Sequence, residues 1–468
     1  MIQKRRFWGE GSAAVLLSLL AVFAMRWDAM QLPFFWDEGY YAIFSRAFHD
    51  LGFSVRSSKD IAFYWYHPPL YFAFLGGLTR LVGWSHFTVH LTNLVVASAL
   101  ISGTYLLARL HASRVIAALA ALAVLFSPVF LSEAGLVQAD LSAAVLAIWS
   151  LYFFFKNKRA VASGLFALGV LANATLIVTA GAFAAALFWR HRRKPKLAAK
   201  EIFFFLLPAA IGVALWLVYQ QGAANVGWGA YSKQESVDHF FRNGLFAVLN
   251  RFAHRVFQIF FLDGRAIATV AIFAMFYRRI KNRVLLKQLS ETEVACFALL
   301  VIETVFLSIF GATHQRYFLV ALPPLFILAA WSMRESVAQV ALLIAAVAGL
   351  GCWYLPPNKY TGFEYRNSYR NYVRLTQTVA SWIETTYPQS VIAAPWPISD
   401  ALTNSQLGYV SAPLLLTKEG KGEVNIVFHR TGTEIAGLDA ACRRFTQGDW
   451  IARICINYDG STKPKFSQ

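Results

Sequence analysis

KRRFWGEGSAAVLLSLLAVFAM, residues 4–25, decides the fold: three basic residues lead into Ser12 to Met25, which carries no charge. A membrane span needs about 20 mostly apolar residues, and a basic flank stays on the cytoplasmic side. The segment has no convincing small-residue cleavage site, so it reads as an anchor with Lys4, Arg5 and Arg6 inside rather than as a removed signal peptide.

The same pattern recurs outward from it. Val89 to Leu107, Val115 to Leu131 and Leu141 to Phe155 are apolar runs of spanning type. Residues 160–189 are too long for one span, because 30 helical residues reach about 45 Å against a hydrocarbon core of about 30 Å. Splitting that stretch at Asn173-Ala174-Thr175 makes a hairpin and leaves Arg190 to Lys200 cytoplasmic. Further runs are Ile202 to Tyr219, Val256 to Phe276, Val294 to Phe310, Tyr317 to Met333 and Val337 to Tyr354, about eleven transmembrane helices in all. The basic clusters at 109–114, 156–159, 190–200, 278–287 and at Arg334 then share one side, and the odd count puts the C-terminus on the other.

Composition agrees. Hydrophobic residues make up 57% and charged residues 15% of 468, against roughly 25% charged in a soluble domain. The net charge of +18 would suit nucleic acid, but the basic residues sit in loops too short to form a groove-reading module, so no nucleic-acid partner is expected. From Pro356 the chain turns polar and mixed, with an amphipathic stretch at Tyr369 to Ile383 and strand-like runs at 391–393 and 424–428. The expectation is a transmembrane unit over 1–355 and a small extracytoplasmic α/β domain over 356–468. Cys296, Cys352, Cys442 and Cys455 have no metal-ligand spacing; whether Cys442 and Cys455 are bridged is left to geometry.

Four polar clusters fall on the non-cytoplasmic side. Trp36-Asp37-Glu38-Gly39-Tyr40-Tyr41 opens an amphipathic helix to Leu51, and its adjacent carboxylates suit a general base or a cation, although acidic residues also favour a helix start. Either carboxylate could be the active one. Tyr64-Trp65-Tyr66-His67-Pro68-Pro69 presents His67 among aromatic rings, as a phosphate donor or part of an interfacial aromatic belt. The loop 132–140 carries Glu133 and Asp140, the latter also placed to begin a helix. Thr313-His314-Gln315-Arg316-Tyr317 followed by Pro323-Pro324 concentrates donors at a helix end, and arginine suits phosphate because its planar fork binds bidentately; snorkelling to headgroups is the plainer reading. Arg242, Arg251, His254 and Arg255 add basic side chains in the preceding loop. Carboxylates, histidines and arginines converging at one membrane surface fit a substrate with its phosphate among headgroups and its tail in lipid.

These motifs, in this order over roughly the first 330 residues, resemble the GT-C glycosyltransferases, nearest the family 39 branch with protein O-mannosyltransferases and the bacterial transferases that put aminoarabinose on lipid A. The resemblance implies an inverting transfer from a polyprenyl-phosphate sugar to a lipid, protein or envelope-polymer acceptor, outside the bacterial inner membrane. It would make Asp37 the carboxylate that activates the acceptor, Asp140 the second acidic position, Arg251 a holder of the lipid phosphate and Tyr317 a residue touching it. The branch carries lysine where this chain has His67, often glutamate where it has Tyr66, and lysine where it has Asn173. The missing glutamate leaves a divalent cation as a cofactor that the sequence allows but does not require. The C-terminal domain would cap the cavity or guide the acceptor. A transporter or flippase of lipid-linked sugars is the alternative; it calls for polar residues through both halves of the bilayer, where the expected spans carry few charges, Glu303 excepted.

Overall fold

The computed structural model describes residues 2–52, 68–224, 237–282, 289–310, 314–333, 335–356, 366–417, 422–431 and 442–456. Tyr66 and His67 lie outside the described residues. The protein is a helical membrane protein with a small C-terminal sheet.

Among the described residues, five helices are long and apolar enough to cross a membrane alone: Gly9–Gln31, His86–Ala108, Pro195–Val218, Glu291–Ile309 and Glu335–Trp353. Two bent pairs raise the number to as many as seven, and shorter apolar helices include Leu70–Val82, Ala139–Phe155, Arg159–Ala172 and Ala174–Arg190.

Several expected spans have a different form. The run at 115–131 is two helices, Arg114–Leu125 and Pro128–Gly135, bent by 65° where Pro128 cannot continue the backbone ladder. The run at 256–276 is two helices bent by 99°, Phe246–Phe260 and Arg265–Lys281, with Asp263 and Gly264 both at positive φ in the corner. Arg251, His254 and Arg255 therefore stand on a helix rather than in a loop. The run at 317–333 is a 3-10 segment, Gln315–Val320, and an eleven-residue helix, Leu322–Ser332.

The break at Asn173 falls where expected. Arg159–Ala172 ends there, and the Asn173 side chain accepts from the Thr175 N–H to start the next turn. Ion pairs join the basic loops at one end of the bundle. Glu10 takes Arg109 at 2.8 Å and Arg114 at 3.3 Å, Glu201 takes Arg159 at 2.5 Å, and Glu293 takes Arg279 at 2.9 Å.

At the other end, Asp37–Leu51 packs against Leu70–Val82, and Gly76 makes the approach possible. A Cβ at Gly76 would lie 2.4 Å from the Ser45 carbonyl oxygen and 2.5 Å from Phe48 Cβ, whereas one at Gly77 meets nothing within 4 Å. Gly76→Val is therefore expected to cost about 1–3 kcal/mol by overpacking. Thermal unfolding in detergent checks this, with Gly77→Val as the control; equal losses in both would show that the packing does not matter.

The C-terminal strands Ile392–Ala393 (β1), Val424–Arg430 (β2), Cys442–Gln447 (β3) and Trp450–Ile456 (β4) form one sheet in the order β1-β2-β4-β3, with β1 and β2 parallel and the other pairs antiparallel. Cys442 faces Cys455 across β3 and β4, and the two are bridged. Helix Ser368–Thr386 lays Tyr369, Tyr372, Val373, Val379 and Ile383 into the core at helical spacing. The hydrophobic core continues from the bundle into this part without a gap. Polar ties reinforce the joint: Arg26, fully buried, donates to the Leu131 carbonyl and the Tyr369 hydroxyl, Arg370 donates to Asp28 at 3.0 Å, and Arg366 donates to Asp263 at 2.8 Å.

Candidate active site

The site begins at a strained turn. Trp36 sits at φ +51°, ψ −125°, a conformation bulky side chains rarely hold, and Asp37 opens the next helix. The C-terminal part braces this turn, because the Phe34 N–H donates to the Leu407 carbonyl at 3.0 Å and Leu407 lies against Gly39, where a Cβ would come within 2.8 Å.

Asp37 and Glu38, adjacent in sequence, face different surroundings. Glu38 is 0% exposed. Its Oε2 accepts from the Phe35 N–H at 2.9 Å, and its Oε1 accepts from the Val137 N–H at 2.8 Å. His90 Nδ1 stands 3.4 Å from the same Oε1, while His90 Nε2 lies 3.2 Å from the Leu32 carbonyl. Glu38 thus ties the turn before Asp37 to the loop before Asp140.

Burial pushes the Glu38 carboxyl up to about 8, outweighing its two N–H donors. A carboxyl raised on folding adds stability that is complete below its unfolded value of 4.5 and is lost as pH rises through about 8. Glu38→Gln removes that titration. The gap in melting temperature between wild type and Glu38→Gln is expected to move in favour of the variant from pH 4.5 to 8, and parallel profiles would contradict the assignment.

Asp37 is 25% exposed at its side chain, and its Oδ2 accepts from Arg316 Nη2 at 2.6 Å. Arg316, 6% exposed, also donates through Nη1 to Gln138 Oε1 at 3.0 Å and holds Nε 3.6 Å from Asp140 Oδ2. Asn173 Nδ2 donates to Asp140 Oδ1 at 2.9 Å. One guanidinium thereby stands between two carboxylates from segments more than 100 residues apart. Among the described residues no group of three or more His, Cys, Asp and Glu is placed to hold a metal ion; the cation beside Asp37 and Asp140 is Arg316.

Arg316 is set in place by the 3-10 turn Gln315–Val320, and its guanidinium lies 5.4 Å from the centre of the adjoining Tyr317 ring. His314 packs edge-on to Trp36 at 5.9 Å and lies 6.1 Å from Tyr317. Arg255 covers Phe318 of the same turn at 5.7 Å. Arg251, one helical turn earlier, reaches back to the Ala247 carbonyl at 3.4 Å and leaves a buried Nη2 with no hydrogen-bond partner among the described residues. Two guanidiniums one turn apart repel each other, and an anion between them would relieve both the repulsion and the buried donor.

Of the residues singled out in the sequence, Asp37, Asp140, Arg316, Tyr317 and His314 gather in one place, and Arg251 lies on the helix whose next turn packs on it. Sequence reasoning passed over Gln138, Trp396 and Asp400. Gln138 and Glu38's tethering role show only in the fold, and so does the approach of Trp396 and Asp400 from the C-terminal part. Asn173 was marked as a departure from a pattern, and its bond to Asp140 is what it does here.

A family model described as dolichyl-phosphate-mannose-protein mannosyltransferase matches residues 66–219. The fold is that of the GT-C membrane glycosyltransferases. Two solved structures resemble it over nearly their whole length. ArnT from Cupriavidus metallidurans in the apo state has a TM-score of 0.54 at 13% identity, covering 98% of this chain and 100% of that one. The same protein bound to undecaprenyl phosphate has a TM-score of 0.51 at 13% identity, covering 98% and 99%. No curated protein matches the sequence.

Proposed function

We propose that the enzyme moves a sugar, with inversion, from a polyprenyl-phosphate donor to an acceptor outside the bacterial inner membrane. The observation that carries this is the Asp37–Arg316–Asp140 cluster, which stands at the end of the bundle opposite the basic loops. The basic loops mark the cytoplasmic side, and the Cys442–Cys455 bridge suits an oxidising compartment for the C-terminal part. The bound undecaprenyl phosphate in the structurally similar ArnT supports a lipid-phosphate donor.

In this reading the acceptor oxygen or nitrogen bonds to the anomeric carbon as its proton passes to the Asp37 carboxylate. The carbon–oxygen bond to the phosphate breaks, and its electron pair leaves on the lipid phosphate, met by Arg251 and Arg316. Tyr317 and His314 border the reacting sugar. Asp140 fixes Arg316 and answers to the second acidic position, Glu38 is a positioning residue, and His67 and Tyr66 belong to the phosphate side by sequence.

The test is transfer of radiolabelled sugar from a panel of polyprenyl-phosphate donors by the protein in lipid nanodiscs. Turnover with one donor supports the reading and names the sugar. Translocation of lipid-linked sugar in liposomes without transfer would replace it with a flippase.

A further inference from the structure

Trp396 reaches from the C-terminal part to the turn that carries Asp37. Its indole meets Trp36 edge to face, with centroids 4.8 Å apart and planes at 88°. Its Nε1–H donates to Asp400 Oδ2 at 3.1 Å and lies 3.3 Å from the Tyr40 hydroxyl, which itself donates to the same oxygen at 2.6 Å. Asp400 Oδ1 takes no bond among the described residues. Trp396 nevertheless stays 48% exposed, although its N–H is satisfied and its ring has a packing partner. It lies in the loop leaving the carboxyl end of β1, which pairs with the parallel β2.

The chemistry of this rim is specific. A pyranose ring has an apolar C–H face that suits the negative face of an indole, and vicinal hydroxyls that suit a carboxylate acceptor. Trp36 directly precedes Asp37, so a ring seated against Trp36 and Trp396 would bring its hydroxyls towards the proposed base.

We propose that Trp36, Trp396 and Asp400 form a subsite for a carbohydrate acceptor, so that the acceptor is a glycan or the sugar headgroup of a glycolipid. The direction of transfer rests on the reading given above; the saccharide site itself does not. The C-terminal part thus supplies acceptor contacts and is more than a cover.

Saturation-transfer NMR on the full chain in nanodiscs, with cellobiose, chitobiose, maltose and mannobiose as probes, tests this. At least one disaccharide is expected to show saturated ring protons. The signal should fall about five- to tenfold in Trp396→Ala, return in part in Trp396→Phe, and fall in Asp400→Asn. Melting temperatures show which variants are folded, and Asp400→Asn carries the test should Trp396→Ala unfold. The subsite is overturned if no disaccharide binds, or if binding is unchanged in the folded variants, as it would be were Trp396 only an anchor among lipid headgroups. Hydrolysis of a polyprenyl-phosphate sugar by the wild type, assayed in parallel, separates the two ideas. Hydrolysis without saccharide binding sinks the subsite alone; saccharide binding through Trp396 without any turnover supports the subsite and sinks the transferase chemistry of the donor.

Discussion

Asp37→Asn is expected to lower turnover by about 10²- to 10⁴-fold, the contribution of a positioned general base. The variant should fold. Asparagine keeps the shape and an acceptor oxygen for Arg316 Nη2, and Arg316 retains Gln138 and Asp140. Asp37 is also partly exposed, so losing its charge removes no fully buried partner. The measurement is the rate of sugar transfer at saturating donor, beside the melting temperature. A folded Asp37→Asn with near-normal rate would move the base elsewhere. Glu38 would not be the replacement, because both its oxygens are already held by backbone N–H groups.

Arg316→Ala is expected to have the largest effect on stability and to abolish measurable transfer. Removing one partner of a buried ion pair costs about 3–5 kcal/mol, because the other charge is left desolvated. Asp140, at 5% exposure, would lose its buried charge partner while retaining the Asn173 amide, and Asp37 is partly exposed, which puts the expected loss near the lower figure. Asp140→Asn in the same background should recover part of the stability, since it removes the stranded charge, and should recover no activity. Thermal unfolding of the two single variants and the double variant gives the coupling directly. A melting temperature for Arg316→Ala equal to that of wild type would mean that the ion pairs with Asp37 and Asp140 do not form in the membrane.

The apolar runs predicted most of the bundle because a span is a property of composition over about 20 residues and needs no knowledge of its neighbours. The bends were not legible. Pro128 marks one of them, yet proline occurs within spans, as Pro208 does in helix Pro195–Ala224, and only packing shows which prolines end a helix. The corner at Asp263 and Gly264 had no sequence signal beyond one glycine. Strand β3 was missed because Arg443, Arg444 and Thr446 break the apolar pattern that marks a buried strand, and β4 because Arg453 interrupts its short apolar run.

The sequence by itself determined a polytopic membrane protein, its basic face, the break at Asn173 and the amphipathic C-terminal helix, since each depends on residues near one another along the chain. It also marked Asp37, Asp140, Arg316 and Tyr317, because polar side chains are costly beside lipid and stand out there. The tertiary structure alone decided that Arg316 stands between Asp37 and Asp140, that Glu38 is spent on holding two loops, and that Trp396 arrives at the site from 360 residues downstream of Trp36. Those outcomes depend on contacts between distant segments, and a side chain's partners across such distances are set by how the helices pack rather than by its neighbours in sequence.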